Sequence, residues 1–184
     1  MEFEQNTGLL LKALAFSADK HRHQRRKNAE KSPYINHPID VTYLLWSVGN
    51  VRNVTILLAS VLHDTIEDTD TSPAEISELF GEEVLALVLE VTDDKTLPKQ
   101  KRKILQIENA PHKSPGAKLI KLADKCSNVR DIVTSPPADW SLERRWEYLL
   151  WTERVVAGLR GTNPALEKYY DENLSHGKRL LGLE

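Results

Sequence analysis

Apolar residues recur at steps of three and four along almost the whole chain, and no segment sustains an alternation of apolar and polar positions. The first spacing lines one face of a helix and the second one face of a strand, so a β-sheet has little support and an all-α chain is expected. The pattern predicts a bundle-like array of about eight or nine helices. The first covers 3–21. Pro38 suits the opening of the second, where a missing N–H costs nothing, and Gly49 ends it. In the third, Val54, Leu57, Leu58, Val61 and Leu62 are joined by Ile56 and Ala59, so this helix is apolar almost all round and should be buried. Ser72, Pro73 and Glu75 spell an N-cap, a first-turn proline and a capping-box partner, with Gly81 as the stop. Further helices are expected over 82–91, 98–110, 117–133 and 141–159, and Asn163-Pro164 starts the last one.

No break between these segments is long enough for a linker, so residues 1–184 are expected to form a single domain around one core. With 25 basic and 27 acidic side chains the net charge is -2, which supplies no global positive field for a nucleic-acid backbone. Any phosphate must be met by a local cluster. Cys126 is the single cysteine, so an internal disulfide and a cysteine-rich zinc site are excluded, and a reducing compartment fits. The apolar stretches fall short of the roughly 20 residues that cross a bilayer, and the N-terminus is acidic, unlike a secretory signal. The expected setting is the cytoplasm, without membrane or nucleic-acid partners.

Chemistry concentrates in His63, Asp64, Glu67 and Asp68, at the end of the most apolar helix. Taken alone, a His-Asp pair there reads as an N-cap or a salt bridge at a helix end. A buried carboxylate without a partner, however, changes protonation state or finds a cation, and a divalent metal satisfies several at once. On a continuing helix His63 and Glu67 share an angle, as do Asp64 and Asp68. Two further residues stand out. His37, in Tyr34-Ile35-Asn36-His37-Pro38, immediately precedes a helix start, and Asp124 lies in a helix where Leu119, Leu122, Ala123 and Cys126 bury one side while Asn128 and Asp131 continue a polar stripe.

These segments, with Gln24-Arg25-Arg26-Lys27, Val91 to Pro98 and Leu122 to Asp131, resemble the HD-domain phosphohydrolases, and within them the RelA/SpoT alarmone hydrolases in their small stand-alone form. The resemblance spans His21 to about Asn163. It implies an HD-domain helical bundle in which His37, His63, Asp64 and Asp124 bind one manganese ion per chain. Two imidazoles and two carboxylates suit a first-row divalent ion on chemical grounds, but do not by themselves exclude iron, cobalt or zinc. Glu67 and Asp68 match the family's acidic pair, which would orient or deprotonate the attacking water and protonate the leaving oxygen, in roles that spacing does not divide.

The run 21–31 carries Arg22, Arg25, Arg26, Lys27 and Lys31 against Glu30, and by itself is either a solvated basic helix end or a phosphate contact. The resemblance implies that Arg26 and Lys27 lie beside a bound nucleotide, with Lys95 as a further cation and Asn128 and Tyr148 close to the nucleoside. Trp140, Trp146 and Trp151 read as core packing, Cys126 as a small buried hydrophobe, and His21 and His23 as surface residues. The implied activity is hydrolysis of guanosine tetra- and pentaphosphate, the alarmones of the stringent response, to GDP or GTP and pyrophosphate. The alternatives are a related nucleotide phosphatase, such as one acting on the 2′-phosphate of NADPH, and a silent nucleotide-sensing module. A retained cluster of buried acids argues against the silent module. A chain of this length, used up by the hydrolase-like domain, is expected to degrade alarmone without making it.

Overall fold

A computed structural model describes residues 2–182; Met1, Leu183 and Glu184, at the ends of the expected domain, lie outside the described residues. The chain forms α1 (Glu2–Lys20), α2 (Asn36–Ser47), α3 (Val54–Leu62), α4 (Thr65–Asp68), α5 (Pro73–Phe80), α6 (Glu82–Val91), α7 (Lys99–Asn109), α8 (Pro115–Thr134), α9 (Leu142–Ala157) and α10 (Pro164–Leu180), with a 3₁₀ turn at Ala110–His112. Leaving out the single turn α4, nine helices of two turns or more are seen among the described residues, and no strand, in agreement with the periodicity.

The starts of these helices follow local chemistry. Asn53, Ser114, Ser141 and Asn163 each accept a hydrogen bond from a first-turn N–H, and Ser72 with Glu75 completes the expected capping box. Gly81, at φ 92°, turns the chain between α5 and α6 in a conformation that L side chains avoid. Gly49 meets a different demand, because a Cβ there would lie 2.9 Å from both a Leu166 methyl and the Leu45 carbonyl.

Two helices form the centre. α3 packs against α1, α2, α6 and α8, and its last six residues, from Leu57 to Leu62, are all buried. Each fully buried leucine in it stabilises the fold by about 1.5–3 kcal/mol. α8 packs against α2, α6, α9 and α10, and every residue from Ile120 to Ser127 is buried. The sequence pattern buried only one side of this helix. The structure buries every side of its middle, so Lys121, Asp124 and Lys125 enter the interior as charged groups that need partners.

Candidate functional site

The site begins where α3 stops. The expected helix through Asp68 is interrupted: Leu62 ends α3, His63 and Asp64 form a turn, and α4 resumes at Thr65, whose hydroxyl donates to the Leu62 carbonyl at 2.7 Å. The carbonyl of Ser60 can only accept, so at 2.7 Å it holds a proton on His63 Nδ1 and leaves Nε2 as the ring atom turned to the site. That Nε2 is buried and has no hydrogen-bond partner; Asp64 Oδ2 is 3.3 Å away but not aligned for one. His37 stands in the first turn of α2 rather than before it. Its Nε2 lies 3.1 Å from Asp124 Oδ1 and 3.8 Å from Asp64 Oδ2, while Ser127 Oγ is 3.2 Å from Nδ1. One ligand atom each from His37, His63 and Asp124 falls within 4.8 Å of the others, all three residues being buried. Asp64 flanks this trio on the side of both imidazoles.

Burial alone would push both carboxyls up. At Asp64 the charges of His63 and His37 outweigh burial, helped by the Tyr34 hydroxyl, which donates to Oδ2 at 2.6 Å, and the group is held below the usual carboxylate range. Asp124 is held further down by Lys125, whose Nζ donates to Oδ2 at 2.8 Å, and by the two histidines. Asn128 donates to Asp124 Oδ1 at 2.6 Å. Two carboxylates held ionised and a buried imidazole Nε2 with no hydrogen-bond partner form a set of ligand atoms that fits a divalent cation.

Glu67 and Asp68 diverge. Glu67 accepts the Asp93 backbone N–H at 2.9 Å and has Arg102 Nη1 at 3.6 Å. Burial pushes its carboxyl up against the effect of that N–H, with the charges of Asp93 and Asp64 adding to the rise. Asp68 pairs with Lys95, and its backbone carbonyl accepts from the Gln24 side chain.

Two clefts meet here. One, of about 560 Å³, is lined by Arg26, Tyr34, His37, Asp68, Asn128 and Tyr148 among others. Arg26 Nη2 donates to Asp131 Oδ2 at 2.7 Å and to Asn128 Oδ1 at 3.3 Å, and the guanidinium lies 5.8 Å from the Tyr34 ring centre. Asn128 thus ties Arg26 to Asp124. The second cleft, of about 630 Å³, contains Glu67, Arg102, Lys103 and Trp151, and shares Lys27, Trp140 and Tyr148 with the first. Tyr148 packs its ring 5.4 Å from Trp140 and 5.3 Å from Trp151, and burial pushes its hydroxyl up to about 12. Lys95 is held on Asp68 and lines neither of these clefts.

Two further expectations need correction. Trp140 and Trp151 are half-buried walls of the clefts rather than core alone, and Trp146 is exposed, because α9 lies at the edge of the fold. His21 is buried, with Gln24 Oε1 at 2.7 Å from its Nδ1 and the Tyr34 ring 4.9 Å away, because the turn after α1 folds back over the site. The residues that sequence reasoning passed over are Tyr34 and Lys125. Tyr34 carried a signal, standing three residues before His37 in a turn closed by the His37 N–H at 2.9 Å. Lys125 carried one too, as a lysine adjoining an aspartate in an apolar helix. Cys126 is buried, as expected.

The family described as HD domain matches residues 13–149. The guanosine-3′,5′-bis(diphosphate) 3′-pyrophosphohydrolase MESH1 of Homo sapiens is 55% identical over 159 residues, which cover 86% of this chain and 89% of that protein. The protein of the same name from Drosophila melanogaster is 49% identical over 162 residues, covering 88% and 90%. A solved structure described as a metazoan ortholog of SpoT that hydrolyzes ppGpp superposes with a TM-score of 0.89 at 47% identity, over 96% of this chain and 97% of that one.

Proposed function

Because this chain belongs to the HD-domain family, matched over residues 13–149, we propose that it hydrolyses guanosine 3′,5′-bis(diphosphate) and the pentaphosphate at the 3′ position, giving GDP or GTP and pyrophosphate. The observation that carries the reading is the buried, partnerless Nε2 of His63, set beside His37, Asp64 and Asp124, with His37 lining the first cleft. In this reading His37, His63, Asp64 and Asp124 hold one manganese ion per chain. When bound, that ion supplies Lewis acidity toward the phosphoryl oxygens and lowers the pKa of water.

The protein's own groups do the rest. In the first cleft Arg26 and Lys27 grip the nucleotide, with Asn128 and Tyr148 against the nucleoside and Lys95 meeting a phosphate once released from Asp68. The water oxygen bonds to the phosphorus attached to the ribose, the bond from that phosphorus to the 3′ oxygen breaks, and a proton goes to the 3′ oxygen. Glu67, with a carboxyl raised by burial, and Asp68 are the pair suited to orient the water and to hold and deliver that proton. The lone Cys126 supports a cytoplasmic setting, and no helix among the described residues is long and apolar enough to cross a membrane.

The test is chromatography of products formed by manganese-loaded protein. Guanosine tetraphosphate should yield GDP and intact pyrophosphate, while GDP and GTP, lacking a 3′ pyrophosphate, should not turn over. Release of orthophosphate, or NADPH dephosphorylated far faster than the alarmone, would replace this reading by that of a nucleotide monophosphatase.

A further inference from the structure

The second cleft contains cations that the chemistry above does not use. Lys103 and Arg102 are half-buried in its wall, and Lys99 stands exposed one turn back on α7. Among the described residues no carboxylate lies within ion-pair distance of Lys27, Lys99 or Lys103. Beside Lys103 lie the Trp151 ring, the cations Lys99, Arg144 and Lys125, and the carboxylate of Glu147. The Lys103 Nζ lies 4.8 Å from the Trp151 ring centre, and the Nζ of Lys125, the lysine paired with Asp124, lies 4.9 Å from the same ring. Burial, followed by the charges of Lys99, Arg144 and Lys125, pulls the Lys103 ammonium below its ordinary range in spite of Glu147. The carboxylates of this cleft are elsewhere engaged or peripheral. Glu67 accepts the Asp93 N–H and stands 3.6 Å from Arg102, Asp93 is taken by Gln106, and Glu143 and Glu147 are exposed on α9. Lys27, Lys99 and Lys103, with no carboxylate among the described residues in ion-pair distance, and Arg102 with a single one form an anion site in this concave wall.

The two clefts lie on either side of the acidic pair, Asp68 facing the first and Glu67 the second. A substrate whose nucleoside occupies the first cleft, and whose reacting phosphorus sits at the junction, must send the group beyond that phosphorus into the second. We propose that Lys103, with Lys99 and Arg102, binds the distal phosphate of the 3′ pyrophosphate, so that the second cleft is what distinguishes a 3′ diphosphate from a 3′ monophosphate. This rests on the 3′-pyrophosphohydrolase reading above and extends it to specificity.

A matched pair of substrates tests it: guanosine 3′,5′-bis(diphosphate) and guanosine 5′-diphosphate 3′-monophosphate, which differ only in the distal phosphate. The variants are Lys99→Gln/Lys103→Gln, which retains the stem over Trp151, and Lys103→Arg, which retains the charge; kcat/KM is measured on manganese-loaded enzyme. Charge-assisted hydrogen bonds of ordinary strength predict a fall of about 10- to 100-fold for the bis(diphosphate) in the double variant. The fall for the monophosphate should be under about threefold, and Lys103→Arg should keep most of the preference, if the lost term is one phosphate contact. An equal fall on both substrates would put the shared 5′ diphosphate in this cleft and overturn the proposal, as would no fall on either. Wild-type protein inert toward the bis(diphosphate) would instead overturn the functional reading and the assignment with it.

Discussion

Replacing Tyr34 by phenylalanine removes one atom and isolates one contact, the hydrogen bond of 2.6 Å from the hydroxyl to Asp64 Oδ2. Burial and the neighbouring Asp64 push the phenol well above its ordinary range, so it remains a donor at every working pH. The ring keeps its place, with His21 at 4.9 Å, His37 at 6.0 Å and Arg26 above it at 5.8 Å between centres. What is lost is a bond to a charged and largely buried acceptor, worth about 1.5–3 kcal/mol. The usual effect of losing a partner that orients a metal-binding group is about 10- to 100-fold in affinity. At about 1.4 kcal/mol per factor of ten, the two estimates agree. Calorimetric titration of metal-free Tyr34→Phe with manganese should therefore give a Kd raised by about 10- to 100-fold, with turnover at saturating metal largely kept. Asp64→Asn serves as the control and should bind far more weakly still. Tyr34→Phe binding as tightly as wild type, while Asp64→Asn does not, would show that this hydroxyl does not orient the carboxylate.

His63→Ala and Asp124→Ala should each lose the metal, and elemental analysis showing about one ion per chain retained in both would remove these residues from the site. Glu67→Gln should keep metal and fold while losing turnover by about 100-fold or more. Because the Glu67 carboxyl is raised, its protonated form persists to higher pH than for an ordinary glutamate. One limb of the pH–rate profile should lie correspondingly above the ordinary carboxylate range and vanish in Glu67→Gln, and a limb unchanged by the substitution would assign it to another group. At the surface, the hydrogen bond from Lys20, with help from Ser72, holds Glu75 at about 2. A lowered pKa contributes stability above the ordinary value of 4.5 that is lost as pH falls toward 2. Thermal melts across that window should be flatter for Glu75→Gln, which can still complete the capping box, and an identical pH dependence would sever the link to Glu75.

The helices were legible because their signals are local. Ser72 with Glu75, and the apolar run from Val54 to Leu62, act within one or two turns, and the structure reproduces both. His37, His63 and Asp124 were legible as residues of unusual chemistry in apolar or fixed settings, and the fold brings them together. The break at His63 and Asp64 was not legible, since their backbone angles remain in or near the helical region and no proline or glycine marks the interruption. Nor was the burial of Lys125. A lysine followed by a buried turn reads as solvated until its partner and the Trp151 ring are in place.

By itself the sequence determined an all-helical chain, the ends of most of its helices, and the residue types able to hold a divalent ion beside a pair of acids. Tertiary structure decided which cation answers each acid: Lys95 on Asp68, Arg102 near Glu67, Lys125 on Asp124 and Arg26 on Asp131. It also decided that the two acids look into different clefts and that three tryptophans do not share one fate. The reason is range. Helix formation and capping are settled by hydrogen bonds spanning a few residues, whereas the partner of Arg26 lies 105 positions along the chain and that of Lys95 lies 27. Which charges meet, and how much water is left between them, depends on packing of the apolar faces of α3 and α8, and many side chains satisfy that packing without specifying where their polar neighbours emerge.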